Sequence, residues 1–179
     1  MKNGKFGAIS VNNFYTDLEY SLEERENELF DNFYFRVIPN LERVEIINDL
    51  SLQKEGIDKK LILKNGKIIL IDEKKRRKNY GDILLEEYSD YDKKKVGWIG
   101  LNKQTDYIIY AIMPSKKVYL IPFLLLQKAW KSNYHNWMRI YGRKFAPNKY
   151  YVTSNIPVPV NVLIEALSKE MNEQLSIFN

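Results

Sequence analysis

The hydrophobic pattern of the chain predicts an α/β domain, α+β in its ordering, with a central mixed β-sheet flanked by helices. Three observations carry this. An acidic segment with helical spacing comes first, short strand-like runs follow around an Asn-Gly turn, and helical segments close the chain. The first segment, residues 16–36, places Leu18, Leu22, Leu29 and Phe33 at helical spacing, with Thr16 or Asp17 as N-cap and Pro39 and Asn40 to end it. Strands are predicted at RVEII (weakly), KKLILK, KIILIDEK, DILLEEY, TDYIIYAIM and KVYLIP. Asn65-Gly66 joins the second and third of these as a two-residue hairpin turn, and Pro114-Ser115 turns between the last two. FLLLQKAWKS reads as a helix and residues 133–150 as irregular. YYVTSNIPV reads as a strand, and PVNVLIEALSKEMNEQL as a closing helix with Pro159 near its start.

At 179 residues, 45% hydrophobic and 28% charged, the chain fits one domain over 1–179. Its core is expected over about 17–130, with a basic, aromatic segment and the closing helix over 131–179. The absence of cysteine excludes disulfides, thiolate zinc sites and a cysteine nucleophile. The longest apolar run, VYLIPFLLL, is roughly half a membrane span, so no membrane partner is expected. The start, MKNGKFGAIS, is too short and polar for a signal peptide, which makes a cytoplasmic address the expectation. There is no Walker loop, GxGxxG, HExxH or GxSxG, and the single histidine, His135, excludes an HNH site. His135 itself is expected to make a polar contact.

Charge is unevenly spread. Residues 17–31 hold seven acids and one base, whereas 107–164 hold eight bases and no acid. That asymmetry on a net charge of +5 points to a polyanion partner, with a basic surface serving solubility as the bland alternative. The stretch 130–151, WKSNYHNWMRIYGRKFAPNKYY, interleaves bases with aromatics as nucleic-acid binders do, although Trp130 reads as core.

The stretch EGIDKKLILKNGKIILIDEKKRRKNY sets Asp58, Asp72 and Glu73 around one hairpin, followed directly by bases. Phosphodiester hydrolysis needs an activated water and neutralisation of transition-state charge. A divalent cation held by two carboxylates, with a lysine beside it, does both. With Asn65 and Gly66 as the only turn residues, Lys64 pairs with Lys67 and Asp58 lies opposite Glu73. Two acids at that spacing repel unless a cation or ammonium relieves them. The bland alternative is a solvated, charged hairpin end.

GID, a short hairpin and then IILIDEKKR resemble the core of the PD-(D/E)xK, restriction-endonuclease-like nuclease superfamily, and GDILLEEYSD and KVYLIPFLLLQK look like later elements of one branch. The resemblance covers about residues 17–130. It implies a restriction-endonuclease-like core and a Mg²⁺- or Mn²⁺-dependent endodeoxyribonuclease. Asp58, Asp72 and Glu73 would be metal-binding, with Glu73 offering its side chain or backbone carbonyl, and Lys74 would sit by the water. Two registers stay open. Asp72 with Lys74 fits the family's apolar strand ending in an acid. Glu73 with Lys75 fits strict alternation opposite Asp58, and a bulge or three-residue turn would switch the parity.

Some relatives use an acid from the first helix, for which Glu24 and Glu28 are candidates, but in a helix with seven acids the surface reading is preferred. Only one of Glu86 and Glu87 can face the site, from a strand expected to neighbour the motif. Arg76, Arg77, Lys78, Arg139, Arg143 and Lys144 are the expected nucleic-acid contacts, with DNA the expected partner and a homodimer compatible with cutting two strands. The alternatives are a non-catalytic nucleic-acid-binding module of the same fold and a protein–protein adaptor using the acidic helix.

Overall fold

The computed structural model of the chain describes residues 28–176. In chain order, the elements are α1 (Glu28–Val37), β1 (Leu41–Ile46), α2 (Leu50–Lys54), β2 (Lys59–Leu63), β3 (Ile68–Arg76), β4 (Asp82–Asp90) and β5 (Lys95–Val96). There follow β6 (Tyr107–Ile112), β7 (Lys117–Pro122), α3 (Phe123–Tyr141), β8 (Lys144–Pro147), β9 (Val152–Pro159) and α4 (Val160–Ser176). The early part of the predicted acidic helix, with Thr16, Asp17, Leu18, Leu22 and Glu24, lies outside the described residues, as does the Glu28 side chain.

A central mixed sheet is present, five-stranded in the order β1-β2-β3-β6-β7. Its β3 and β6 run parallel and its other neighbours antiparallel. A second, antiparallel sheet has the order β5-β4-β9-β8. DILLEEY therefore does not extend the central sheet beside the acid motif. It leaves β3 through a turn, pairs with β9, and makes the crossover that returns the chain to β6. Parallel neighbours need such a crossover, and here strands supply it where a helix is usual.

α1 docks on one face of the central sheet because Phe30, Phe33, Tyr34 and Val37 recur at helical spacing; they pack with Leu61, Ile71, Ile109 and Ala111. The other face packs against α3 and the second sheet through Ile108, Tyr110 and Ile112 of β6, with Ile83, Leu85, Ile156 and Leu126. Covered on both faces, Ile108–Ile112 is a continuous buried run.

Two expectations need correction. First, the hairpin turn has three residues, not two. Leu63 N–H donates to the Lys67 carbonyl at 2.9 Å and Gly66 N–H to the Leu63 carbonyl at 2.8 Å, with Gly66 at φ 80°, where glycine is unstrained. The β2–β3 register is then Lys59 with Ile71 and Leu61 with Ile69. One residue further out, Asp58 comes level with Asp72 and not with Glu73. Second, residues 133–141 are helical: α3 runs on to Tyr141, where Gly142 caps it. Tyr134, Trp137, Met138 and Tyr141 continue its inward stripe.

Candidate active site

β3 displays its charged side chains on two faces. Asp72 and Lys74 pair with Ile108 and Tyr110, which face α3 and the second sheet. Glu73 and Lys75 pair with Ile109 and Ala111, which face α1. The structure thus brings Asp58, Asp72 and Lys74 together and sends the Glu73 side chain elsewhere.

Asp58 enters where β2 begins. Its N–H donates to the Ile71 carbonyl at 2.8 Å, and its Oδ2 accepts the Glu73 N–H at 2.8 Å, fixing the carboxylate against the β3 backbone. Asp72 is 1% exposed, and ammonium groups hold both of its oxygens. Lys74 Nζ donates to Oδ1 and Lys103 Nζ to Oδ2, the latter at 2.7 Å. Burial and the nearby Asp72 charge push the Asp58 carboxyl up to about 6, against the pull of Lys74 and the Glu73 N–H. Burial pushes Asp72 the same way, but the Lys74 and Lys103 ammoniums outweigh it and hold Asp72 below the usual carboxylate range. Burial would also lower Lys74, yet Asp72 and Asp58 hold it above the ordinary lysine value. Lys103 goes down, through burial and the Lys74 charge.

Lys103 has no sequence signal, since it lies 31 residues after Asp72 in a polar loop. What admits it is Gly56, two residues before Asp58. A Cβ there would stand 2.5 Å from Lys103 Nζ and 2.7 Å from its Cδ, and Gly56 has φ 79° besides. Glu86, not Glu87, faces this cluster. Its Oε1 accepts the Trp98 N–H at 3.2 Å, burial raises its carboxyl, and the Lys74 and Lys103 charges act on it. The Trp98 ring centroid lies 5.7 Å from Lys74 Nζ. Lys74 keeps its side chain 28% exposed, so the cluster meets solvent there.

Glu87 points the opposite way. Arg143 reaches it with Nε at 2.6 Å and Nη2 at 2.7 Å, Ser154 Oγ donates at 3.0 Å, and the Tyr134 hydroxyl donates as well. Burial is overcome by these donors, and Glu87 sits below its ordinary value. On the α1 face, Glu73 is 4% exposed; Tyr34 OH donates to its Oε1 at 2.6 Å and Lys59 Nζ lies 3.2 Å away. Lys59 also pairs with Asp31 at 3.1 Å, while Lys75 Nζ stands 5.3 Å from the Phe30 ring centroid.

Of the six bases expected to contact nucleic acid, Arg143 and Arg76 are held by buried or half-buried carboxylates. Arg143 holds Glu87, and Arg76 pairs with Asp82 through Nε at 3.1 Å and Nη2 at 2.8 Å. Arg77, Lys78, Arg139 and Lys144 are exposed. His135 is exposed as well, its ring edge-on to Tyr134 at 5.0 Å. Among the described residues no group of three or more His, Cys, Asp or Glu side chains converges as a metal-ligand set. No helix among them is long and apolar enough to cross a membrane.

No family model matches the chain, and no curated protein matches it. A solved structure described as D212, a nuclease from a fusselovirus, aligns over 92% of this chain and 98% of that one, at 13% identity and a TM-score of 0.39. A score that low does not equate two folds.

Proposed function

We propose that the chain is a Mg²⁺- or Mn²⁺-dependent endodeoxyribonuclease of the PD-(D/E)xK kind. The observation that carries this reading is the convergence of Asp58, Asp72 and Lys74 on one face of the β2–β3 hairpin, in the Asp72-x-Lys74 register. The donor set fits a hard divalent ion. Two carboxylates suffice when waters and phosphate oxygens complete the shell. The raised Asp58 carboxyl marks a place where added positive charge is favourable. Asp58 and Asp72 would hold the ion, and Glu73 would contribute only its backbone carbonyl, because its side chain is committed to Tyr34 and Lys59. When bound, the ion supplies a nucleophilic water and neutralises charge gathering on phosphorus.

The side chains divide the rest of the work. Lys74, partly solvent-exposed and kept protonated by Asp72 and Asp58, is placed to donate a hydrogen bond to the water or to a phosphate oxygen. Lys103 keeps Asp72 ionised and oriented, and Trp98 walls one side. A nucleic acid is the polyanion the charge distribution favours, drawn to the acid-free stretch 107–164, and DNA is the substrate in this reading.

One observation favours a second reading. Asp72 already balances two ammoniums without any ion, which suits a nucleic-acid-binding module that has the fold but does not cut. Plasmid incubated with Mg²⁺ or Mn²⁺ separates the two. Nicking or linearisation that EDTA and Asp58→Ala both abolish is the expected result. Retardation of DNA with no cleavage under either ion would leave the binding module.

A further inference from the structure

Away from the acids, one end of the second sheet gathers aromatic rings and lysines that no part of the cleavage chemistry uses. Tyr91 is its hub. The Phe145 ring stands 4.9 Å away and edge-on, Tyr88 stands 5.9 Å away, and Lys94 Nζ lies 3.6 Å from the Tyr91 centroid. The Tyr91 N–H donates to the Val152 carbonyl at 2.8 Å, which sets the β8–β9 turn beside the hub. That turn presents Tyr150, 80% exposed, with Lys149 Nζ 5.0 Å from its ring. Phe145 is 52% exposed. Residues 88–96 and 144–151 together hold five lysines against two aspartates, and one of those aspartates, Asp90, is paired with Lys93 at 3.0 Å.

Partly open rings among lysine ammonium groups that outnumber the acids fit one ligand chemistry better than others. Bases stack on such rings whatever their sequence, while lysines neutralise the phosphates between them. A duplex interior hides its base faces, so these rings favour unpaired nucleotides. We propose that the Tyr91–Phe145–Tyr150 surface, with Lys94 and Lys149, is a binding site for a single-stranded segment of nucleic acid. The strand that carries Tyr88 and leads to Tyr91 also carries Glu86 at the candidate active site, two to five residues away, or roughly 7–17 Å along an extended strand. The inference extends the nuclease reading to a substrate class: a nucleic acid with an unpaired arm beside the bond to be cut.

The test is fluorescence anisotropy on the full chain in EDTA and low salt, with a labelled oligothymidylate and a labelled blunt duplex. The expected result is single-strand binding about ten-fold or more tighter than duplex binding, lost in Phe145→Ala/Tyr150→Ala while the duplex affinity holds. Lys94→Gln/Lys149→Gln should flatten the single-strand salt slope by about 1.4. All four positions are on exposed turns or partly exposed strands, and an unchanged far-UV spectrum confirms folding. Equal or tighter duplex binding, or an aromatic double variant that binds single strands like the parent, overturns the inference. So does capture by phosphatidylserine vesicles through the same rings with no oligonucleotide preference. Because binding is read without cleavage, a chain that passes this test but never cuts retains the inference and loses the nuclease reading.

Discussion

On one face of β3, Asp72 and Lys74 meet Asp58, Lys103 and Glu86; on the other, Glu73 and Lys75 lie with Lys59 under Phe30 and Tyr34 of α1. Both faces spell an acid, one residue, then a lysine, and both are short of water. They differ in how the acid is satisfied. Glu73 is closed in by a phenol and an ammonium, both from residues at most 1% exposed, so the arrangement is complete and sealed. On the first face two carboxylates stand side by side, one of them held near 6, and the lysine beside them reaches solvent. A spelling alone does not make a site. What marks a candidate is a carboxyl raised by burial and by a neighbouring like charge, beside a lysine that reaches solvent, because an incoming cation would relieve it.

The comparison is broken most decisively by cleavage assays. Lys74→Ala should lower the rate by about 10²–10⁴-fold, while Lys75→Ala changes the rate per folded molecule by no more than a few-fold. Equal losses would mean that the two faces are not distinct. Stability is the next readout. Glu73→Ala leaves Lys59, which is 1% exposed, with Asp31 alone, and denaturant titration should register a loss of about 3–5 kcal/mol. Asp58→Asn should move the other way. The Asp58 carboxyl rises from 3.8 unfolded to about 6 folded, so the fold binds that proton more tightly than the unfolded chain does. Stability from this group is fully present below about pH 4, falls as pH climbs to about 6 and stays lost above. Asparagine therefore ends cleavage yet raises stability at about pH 8 by up to roughly 3 kcal/mol, and flattens the acid limb of the stability profile. Smallest is the effect on Lys103. Gly56→Ala, which drives a methyl group into that side chain at a positive φ, should cost about 1–3 kcal/mol and reduce cleavage in step with Lys103→Gln.

Much of this was legible in the residues, and the rest had physical reasons to hide. The central mixed sheet follows from KIILIDEK, an apolar run folded back by the Asn-Gly turn, and from TDYIIYAIM, whose continuous apolar run is buried on both faces. Asp58, Asp72 and Lys74 stand out because an Asn-Gly turn folds them back on each other. Their register was not decided by alternation. A buried strand is apolar on both faces, and one extra turn residue, set by the Leu63–Lys67 bond, inverts every pairing. Lys103 and Glu86 come to Asp72 through the second sheet, whose strands look locally like any others. In α3, Tyr134, Trp137, Met138 and Tyr141 keep helical spacing, but the polar and aromatic mixture around them disguises it. Arg76 and Arg143 read as free bases because their partners, Asp82 and Glu87, are fixed by tertiary geometry alone.

The route from β3 to β6 has a consequence for the order of events at the ribosome. Asp58, Asp72 and Lys74 emerge early and within one hairpin, whereas Lys103 is translated only after the whole excursion through β4 and β5. A nascent chain halted before residue 103 presents Asp72 to a single ammonium and lacks the parallel neighbour that shields it. The charge cluster around Asp72 is therefore completed only after β4 and β5 have been made, and a chain cut short of them carries the two acids with half of their counter-charge.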